Sequence, residues 1–154
     1  MKVVTIIALA AQIILFSIGT QNVIASENTP HQQRGAAIFY GEIDISGRLA
    51  GPDLVLPTLA TRCANCHEEP NPTPPPTSST IPSTTSFAQP LTSQYLQTPQ
   101  VRRGGPSSIF NAQRLCELLR TGIDPTHIII STTMPRYDIT DAQCEDLWAF
   151  LETK

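Results

Sequence analysis

Apolar residues recur with helical period in two stretches near opposite ends of this chain, and both open on the same local signal. In the first, Ala36, Phe39, Tyr40 and Ile43 fall on one face of a helix. Thr29 precedes it as an N-cap, Pro30 suits the first helical position, and Gln32 completes a capping box. Gly41 is placed to end it, and Gly35 inside it predicts close approach of another helix, with Phe39 packing one turn on. In the second, Thr140-Asp141-Ala142-Gln143 is another capping box, followed by Cys144, Leu147, Trp148 and Leu151 along one face. A third helix is expected after Asn111, carrying Ala112, Leu115, Cys116 and Leu119 on one side, with Arg120 in its last turn and Gly122 just beyond. Thr58 to His67 predicts a further short helix.

Between these elements the periodicity weakens. Glu42 to Arg62 is broken by Gly47, Gly51, Pro52 and Pro57 but holds many aliphatic residues, so a packed irregular segment is expected, with a short hairpin around Gly47. Residues 70–86 are almost entirely Pro, Ser and Thr and predict a surface insertion with little to bury. Phe87, Leu91, Tyr95, Leu96 and Val101 are candidates to fold back on a core. Arg102-Arg103-Gly104-Gly105-Pro106 is a basic turn, read first as a solvated loop and second as an anion or partner contact. Asp124-Pro125 turns the chain, and His127 to Ile130 predicts a buried extended piece.

The N-terminus changes the setting. Lys2, the apolar run Val3 to Ile18, and Val23-Ile24-Ala25 ahead of Ser26 have the order of a secretory signal, so residues 1–25 are expected to be removed and the body exported, most simply to a periplasm. An uncleaved membrane anchor is the alternative. The remaining chain, residues 26–154, is the length of one domain. A formal net charge of −3 with 15% charged residues argues against a nucleic-acid partner, which needs a basic stripe. All four cysteines lie in the exported part.

The chemistry concentrates in Cys63-Ala64-Asn65-Cys66-His67. Two thiols three positions apart with an imidazole directly after the second are the attachment signature of a c-type haem. The thiols can add across the porphyrin vinyl groups, and His67 can reach the iron. Zinc binding or thiol exchange is the other use of a CxxC pair. For the sixth iron position, Met134 is the one methionine outside the leader, followed by Pro135 in a loop between two helices; His31 and His127 are its rivals.

Taken together, the Gly35/Phe39 helix, Cys63 to His67, Met134-Pro135 and the closing Glu145-Asp146-Leu147-Trp148-Ala149-Phe150-Leu151 resemble the class I cytochromes c. That resemblance implies an all-α fold around one covalent haem c, with Leu147 and Phe150 crossing Gly35 and Phe39. Two departures stand out: Gly41 to Arg62 separates the first helix from the haem motif, and the insertion after His67 leaves the hydrogen-bond acceptor of its second ring nitrogen unassigned. Cys116 and Cys144 lie outside the family pattern; parity and an oxidising compartment favour a disulfide between them over two buried thiols. The expected function is electron transfer through His67 and Met134, with a dehydrogenase, oxidase or respiratory complex as partner and Glu42, Asp44, Asp53, Glu68 and Glu69 as candidate docking groups. A haem enzyme or gas- or peroxide-reactive protein with a displaceable sixth ligand is the alternative.

Overall fold

The computed structural model describes residues 28–51, 53–68 and 88–154. The expected signal segment, the Pro/Ser/Thr-rich insertion at 70–86, Glu69 and Phe87 lie outside these. No helix among the described residues is long and apolar enough to cross a membrane.

Helix α1 (Pro30–Tyr40) begins at the Thr29 capping box: the Thr29 side chain accepts from the Gln32 N–H, and Gln32 Oε1 accepts from the Thr29 N–H at 2.7 Å. Gly41 ends it in the left-handed conformation. The last helix, α5 (Asp141–Leu151), opens on the matching Thr140 box. The two pack closely because Gly35 has no side chain. A Cβ there would overlap the Asp146 carbonyl oxygen and come within 2.7 Å of Phe150 Cβ. Around this crossing the Phe39 and Phe150 rings lie 5.4 Å apart, and the Lys154 ammonium sits 4.4 Å from the Phe39 centroid. Phe150 thus meets both Gly35 and Phe39, and the atom nearest to Gly35 is the Asp146 carbonyl oxygen.

That crossing also buries the Asp146 side chain, which is only 8% exposed. It is compensated from α1. Arg34 donates from Nε to Oδ2 at 2.7 Å and from Nη2 to Oδ1 at 2.9 Å, and His31 Nδ1 lies 2.6 Å from Oδ1. The Arg34 hydrogen bonds hold the Asp146 carboxyl below the usual carboxylate range against the opposing effect of burial, with His31 adding to them.

Helix α4 (Ala112–Thr121) is capped by the Asn111 side chain, which accepts from the Arg114 N–H at 2.8 Å, and ends at left-handed Gly122. Its apolar stripe buries Leu115, Cys116, Leu118 and Leu119. A disulfide joins Cys116 to Cys144 of α5, with Cα atoms 5.5 Å apart.

The remaining elements overturn the expectation of an all-α fold. Besides α2 (Ala64–His67) and α3 (Ser93–Gln97), the described residues contain two small antiparallel sheets, so the fold is mixed α and β. In one, β1 (Ser46–Leu49) lies between β2 (Leu54–Val55) and β5 (Arg136–Asp138). In the other, β3 (Gln100–Val101) pairs with β4 (Ser107–Ser108). The hairpin expected around Gly47 turns later, through Gly51 and Asp53 in left-handed backbone. Gly47 instead sits inside β1, opposite Tyr137, where a Cβ would come within 2.9 Å of Thr61 Cγ2. Pairing with a strand so distant in sequence leaves no local period to read.

Three local expectations also need correction. Thr58 to His67 is not one helix but a 3-10 turn (Thr58–Ala60), closed by a bond from the Thr61 hydroxyl to the Thr58 carbonyl, followed by the separate turn α2. His127 to Ile130 is not buried throughout. His127 takes a left-handed φ of 62° and Ile129 is 72% exposed; only Ile130 is in the core. The basic turn is not simply solvated, since Arg102 is 4% exposed and donates to the Tyr95 and Ser108 carbonyls beneath the Tyr95 and Phe110 rings.

The α1–α5 crossing has two testable outcomes. Gly35→Ala should destabilise the fold by about 3 kcal/mol or more, the upper end for overpacking, because the obstacle is backbone and cannot rotate away; urea unfolding measures it. Asp146, with its depressed folded pKa, stabilises the fold fully above the unfolded carboxylate value of about 3.9, and that contribution disappears as pH falls through the lower folded value. Asp146→Asn should therefore flatten the acid limb of stability between about pH 5 and pH 2, with the urea midpoint followed across that range.

Candidate functional site

Helix α2 is a single turn, and its geometry is what makes a site of Cys63 to His67. Cys63 stands at its N-cap position in helical backbone, and the Cys66 and His67 N–H groups both donate to the Cys63 carbonyl, at 3.1 and 3.0 Å. Spacings of three and four residues then share one helical face. All three residues line one cavity of about 370 Å3, within the range of about 300–1,000 Å3 typical of small-molecule sites.

The same cavity is also reached from the C-terminal part of the chain. Met134 and Pro135 line it, from the loop between α4 and β5. Its floor and walls are apolar side chains of α1, α3, α4 and α5, including Phe39, Leu96, Leu119, Leu147 and Leu151. His31 and His127 do not line it. His31 belongs to the Asp146 cluster, and His127 lies on the Asp124 turn. Of the sequence candidates for a ligand opposite His67, the structure brings only Met134 to the same cavity.

The segment that resumes after the insertion fixes His67. The Ala88 N–H donates to the Cys66 carbonyl at 3.0 Å, laying residues 88 and 89 along α2, and His67 Nδ1 lies 2.8 Å from the Gln89 carbonyl oxygen. A carbonyl can only accept, so Nδ1 carries the proton and the lone pair is on Nε2. Burial lowers the His67 pKa against the opposing effect of the Gln89 bond, and the nearby Arg103 charge lowers it further. Burial and the Arg103 charge both favour the neutral imidazole, the form able to ligate. The Gln89 carbonyl supplies the acceptor that sequence leaves open. A backbone group of this kind has no sequence signature.

Cys63 is set apart from ordinary reactive cysteines. With Cys116 and Cys144 joined to each other, Cys63 and Cys66 remain as thiols. Burial pushes the Cys63 thiol up to about 12, the opposite of the low pKa that thiol–disulfide exchange uses. Among the described residues, no three His, Cys, Asp or Glu side chains converge as a ligand set for one ion. Cys63, Cys66 and His67 share a wall of the cavity and not a focus.

Two arginines complete the lining, Arg62 directly before the motif and Arg103 in the basic turn. Arg62 Nε is buried without a hydrogen-bond partner among the described residues, held over Gly41, where a Cβ would overlap its side chain. Arg103 Nη1 donates to Asp124 Oδ2 at 3.3 Å. A largely apolar cavity with two arginines among its lining residues suits an amphipathic group with carboxylate arms. Arg103 belongs to the basic turn whose second reading from sequence is an anion or partner contact, whereas Arg62 has only its position beside Cys63 as a weak pointer.

Comparison with protein-family models, with curated proteins and with solved structures found no match to this chain.

The disulfide closes the segment that carries Met134, since Cys116 and Cys144 are 28 residues apart and lie on either side of it. Replacing both cysteines by alanine should cost about 2–4 kcal/mol. Denaturant unfolding of the double variant, beside the parent under non-reducing conditions, measures this.

Proposed function

We propose that this protein is an exported electron carrier that holds one haem c through Cys63 and Cys66, with His67 and Met134 as its axial ligands. The observation that carries the reading is the shared cavity. The two thiols, an imidazole with its Nε2 lone pair available, and the one methionine outside the leader all line it, from segments far apart in the sequence.

When bound, the haem supplies a one-electron ferric/ferrous couple. Cys63 and Cys66 would hold the group covalently through their sulfurs, with each thiol hydrogen passing to the same vinyl group and no oxidant needed. His67 presents Nε2 because Gln89 holds Nδ1–H. Met134 would be the second protein ligand, and a thioether there would favour the ferrous state and leave no open site for a substrate. The apolar walls exclude water, which acts in the same direction. Arg62 and Arg103, both in the cavity lining, would supply the positive charge for the haem carboxylates. The residues present fit the group in each of these respects.

Export fits the Cys116–Cys144 disulfide, which persists in oxidising compartments. The partner is a redox protein met in a small, short-lived interface. Exposed Leu59 lies one residue from cavity-lining Ala60 and offers an apolar contact near the cavity.

The test is direct. After expression with haem-attachment machinery, the chain should keep a haem stain on a denaturing gel, and Cys63→Ala/Cys66→Ala should lose it. The ferric protein should show the weak far-red band of methionine–iron ligation. Met134→Ala should abolish that band, lower the midpoint potential and admit carbon monoxide at neutral pH. No haem stain, or an unchanged potential in Met134→Ala, would sink the reading. A wild-type protein without the band that binds carbon monoxide rapidly would point to a haem enzyme or gas-reactive protein.

A further inference from the structure

Met134 packs against the core, and its backbone is held at both ends. Its N–H donates to the Ser131 carbonyl at 3.2 Å, closing a turn in which Ser131 and Thr133 bond to each other. A stronger restraint arrives from two residues further along. The backbone of Arg136 is fixed by its place in β5, opposite Arg48 of β1. From that anchor its side chain turns back. Nη1 donates to the Met134 carbonyl at 2.6 Å, and Nη2 reaches the Ile130 carbonyl at 3.4 Å.

The third side of this arrangement is the end of α4. The Arg136 guanidinium lies over Gly122, where any Cβ would overlap it. The Gly122 carbonyl in turn accepts the Ile130 N–H at 2.8 Å. One planar, always-charged group therefore ties together the central sheet, the C-terminus of α4 and the carbonyl of Met134. A planar fork with several fixed donors suits this task, and a lysine ammonium does not reproduce it. The left-handed backbone of Gly122 and its lack of a side chain, which sequence reading assigns only to helix termination, make room for the guanidinium.

We infer that Arg136 is the positioning residue for the sixth iron ligand: it holds the Met134 backbone toward the cavity and so sets how readily that position opens. This rests on the haem reading above. A thioether is a weak acceptor with a flexible stem, so its occupancy of the iron depends on how well the chain holds it there. Removing a partner that orients a ligand commonly costs about 10–100-fold in ligation, and the effect here falls on the methionine side alone.

The experiment uses the haem-loaded, disulfide-intact protein. Arg136→Met keeps the aliphatic stem and removes the fork; Arg136→Lys keeps the charge; Gly122→Ala displaces the guanidinium without deleting it. Each should retain covalent haem and cooperative unfolding. Arg136→Met should weaken the ferric far-red band and speed carbon monoxide binding by about tenfold or more. Arg136→Lys should fall between it and the parent, and Gly122→Ala should shift the same way. Thr140→Ala, which removes the α5 cap and acts on stability alone, should leave the band unchanged. If Met134→Ala abolishes the band while Arg136→Met and Gly122→Ala leave band and binding rate at parental values, the inference is wrong and the haem reading stands. If the parent itself lacks covalent haem or the band, both fall.

Discussion

Helices from opposite ends of the described chain meet at Gly35, where a hydrogen in place of a methyl lets the Asp146 carbonyl settle against α1. The contact is long-range, so its loop-closure cost is met only when the whole interface forms. The residues it brings together explain much of the rest. The same closeness sets Phe39 of α1 and Leu147 and Leu151 of α5 along one cavity wall. It also buries Asp146, which would be costly without Arg34 and His31 beside it. An alanine at position 35 would move the wall as well as the helices.

From that pair the structure extends by local ties. The disulfide fixes α4 to α5, and left-handed Gly122 ends α4 where the chain turns toward Met134. Asp124 organises the next turn. Burial raises its pKa, but hydrogen bonds from Thr126 and Ile128 and the Arg103 charge outweigh this and hold it below the usual carboxylate range. Its carboxylate joins the turn to cavity-lining Arg103 through an ion pair. The loop that carries Met134 is thus tied at its beginning to the basic turn and at its end to the central sheet.

This arrangement separates what sequence makes legible from what it does not. Helix boundaries were readable because their signals are local: both capping boxes, the Asn111 cap and the glycines at 41 and 122 act within one turn of the residues they control. The close helix crossing was readable from Gly35 because a glycine inside an amphipathic helix is costly without such a reason. The sheets were not, since strands of two to four residues carry no period and β1 finds β5 only in the folded chain. Arg102 misled for a related reason. Its burial is possible only because carbonyls and ring faces from other segments surround it. Of the candidate site, the residue types and spacing of Cys63 to His67 were plain; the Gln89 carbonyl, Arg62 and Arg136 were not, because each acts through a contact that exists only in three dimensions.

On the haem reading, the two axial sides are held in different ways. His67 is restrained at its side chain: the Gln89 bond fixes the tautomer and constrains the imidazole ring, while α2 fixes its backbone. Met134 is hydrogen-bonded only through its backbone: Arg136 bonds its carbonyl, and the thioether stem is held by apolar packing against the core, with no directional bond. Thermal motion and mutation should therefore act first on the methionine side, with the histidine and the two thioether bonds remaining in place. On that reading the cofactor would be kept by covalent chemistry and its coordination set by a single charged clamp, which would make the loop from Gly122 to Arg136 the adjustable part of an otherwise fixed centre.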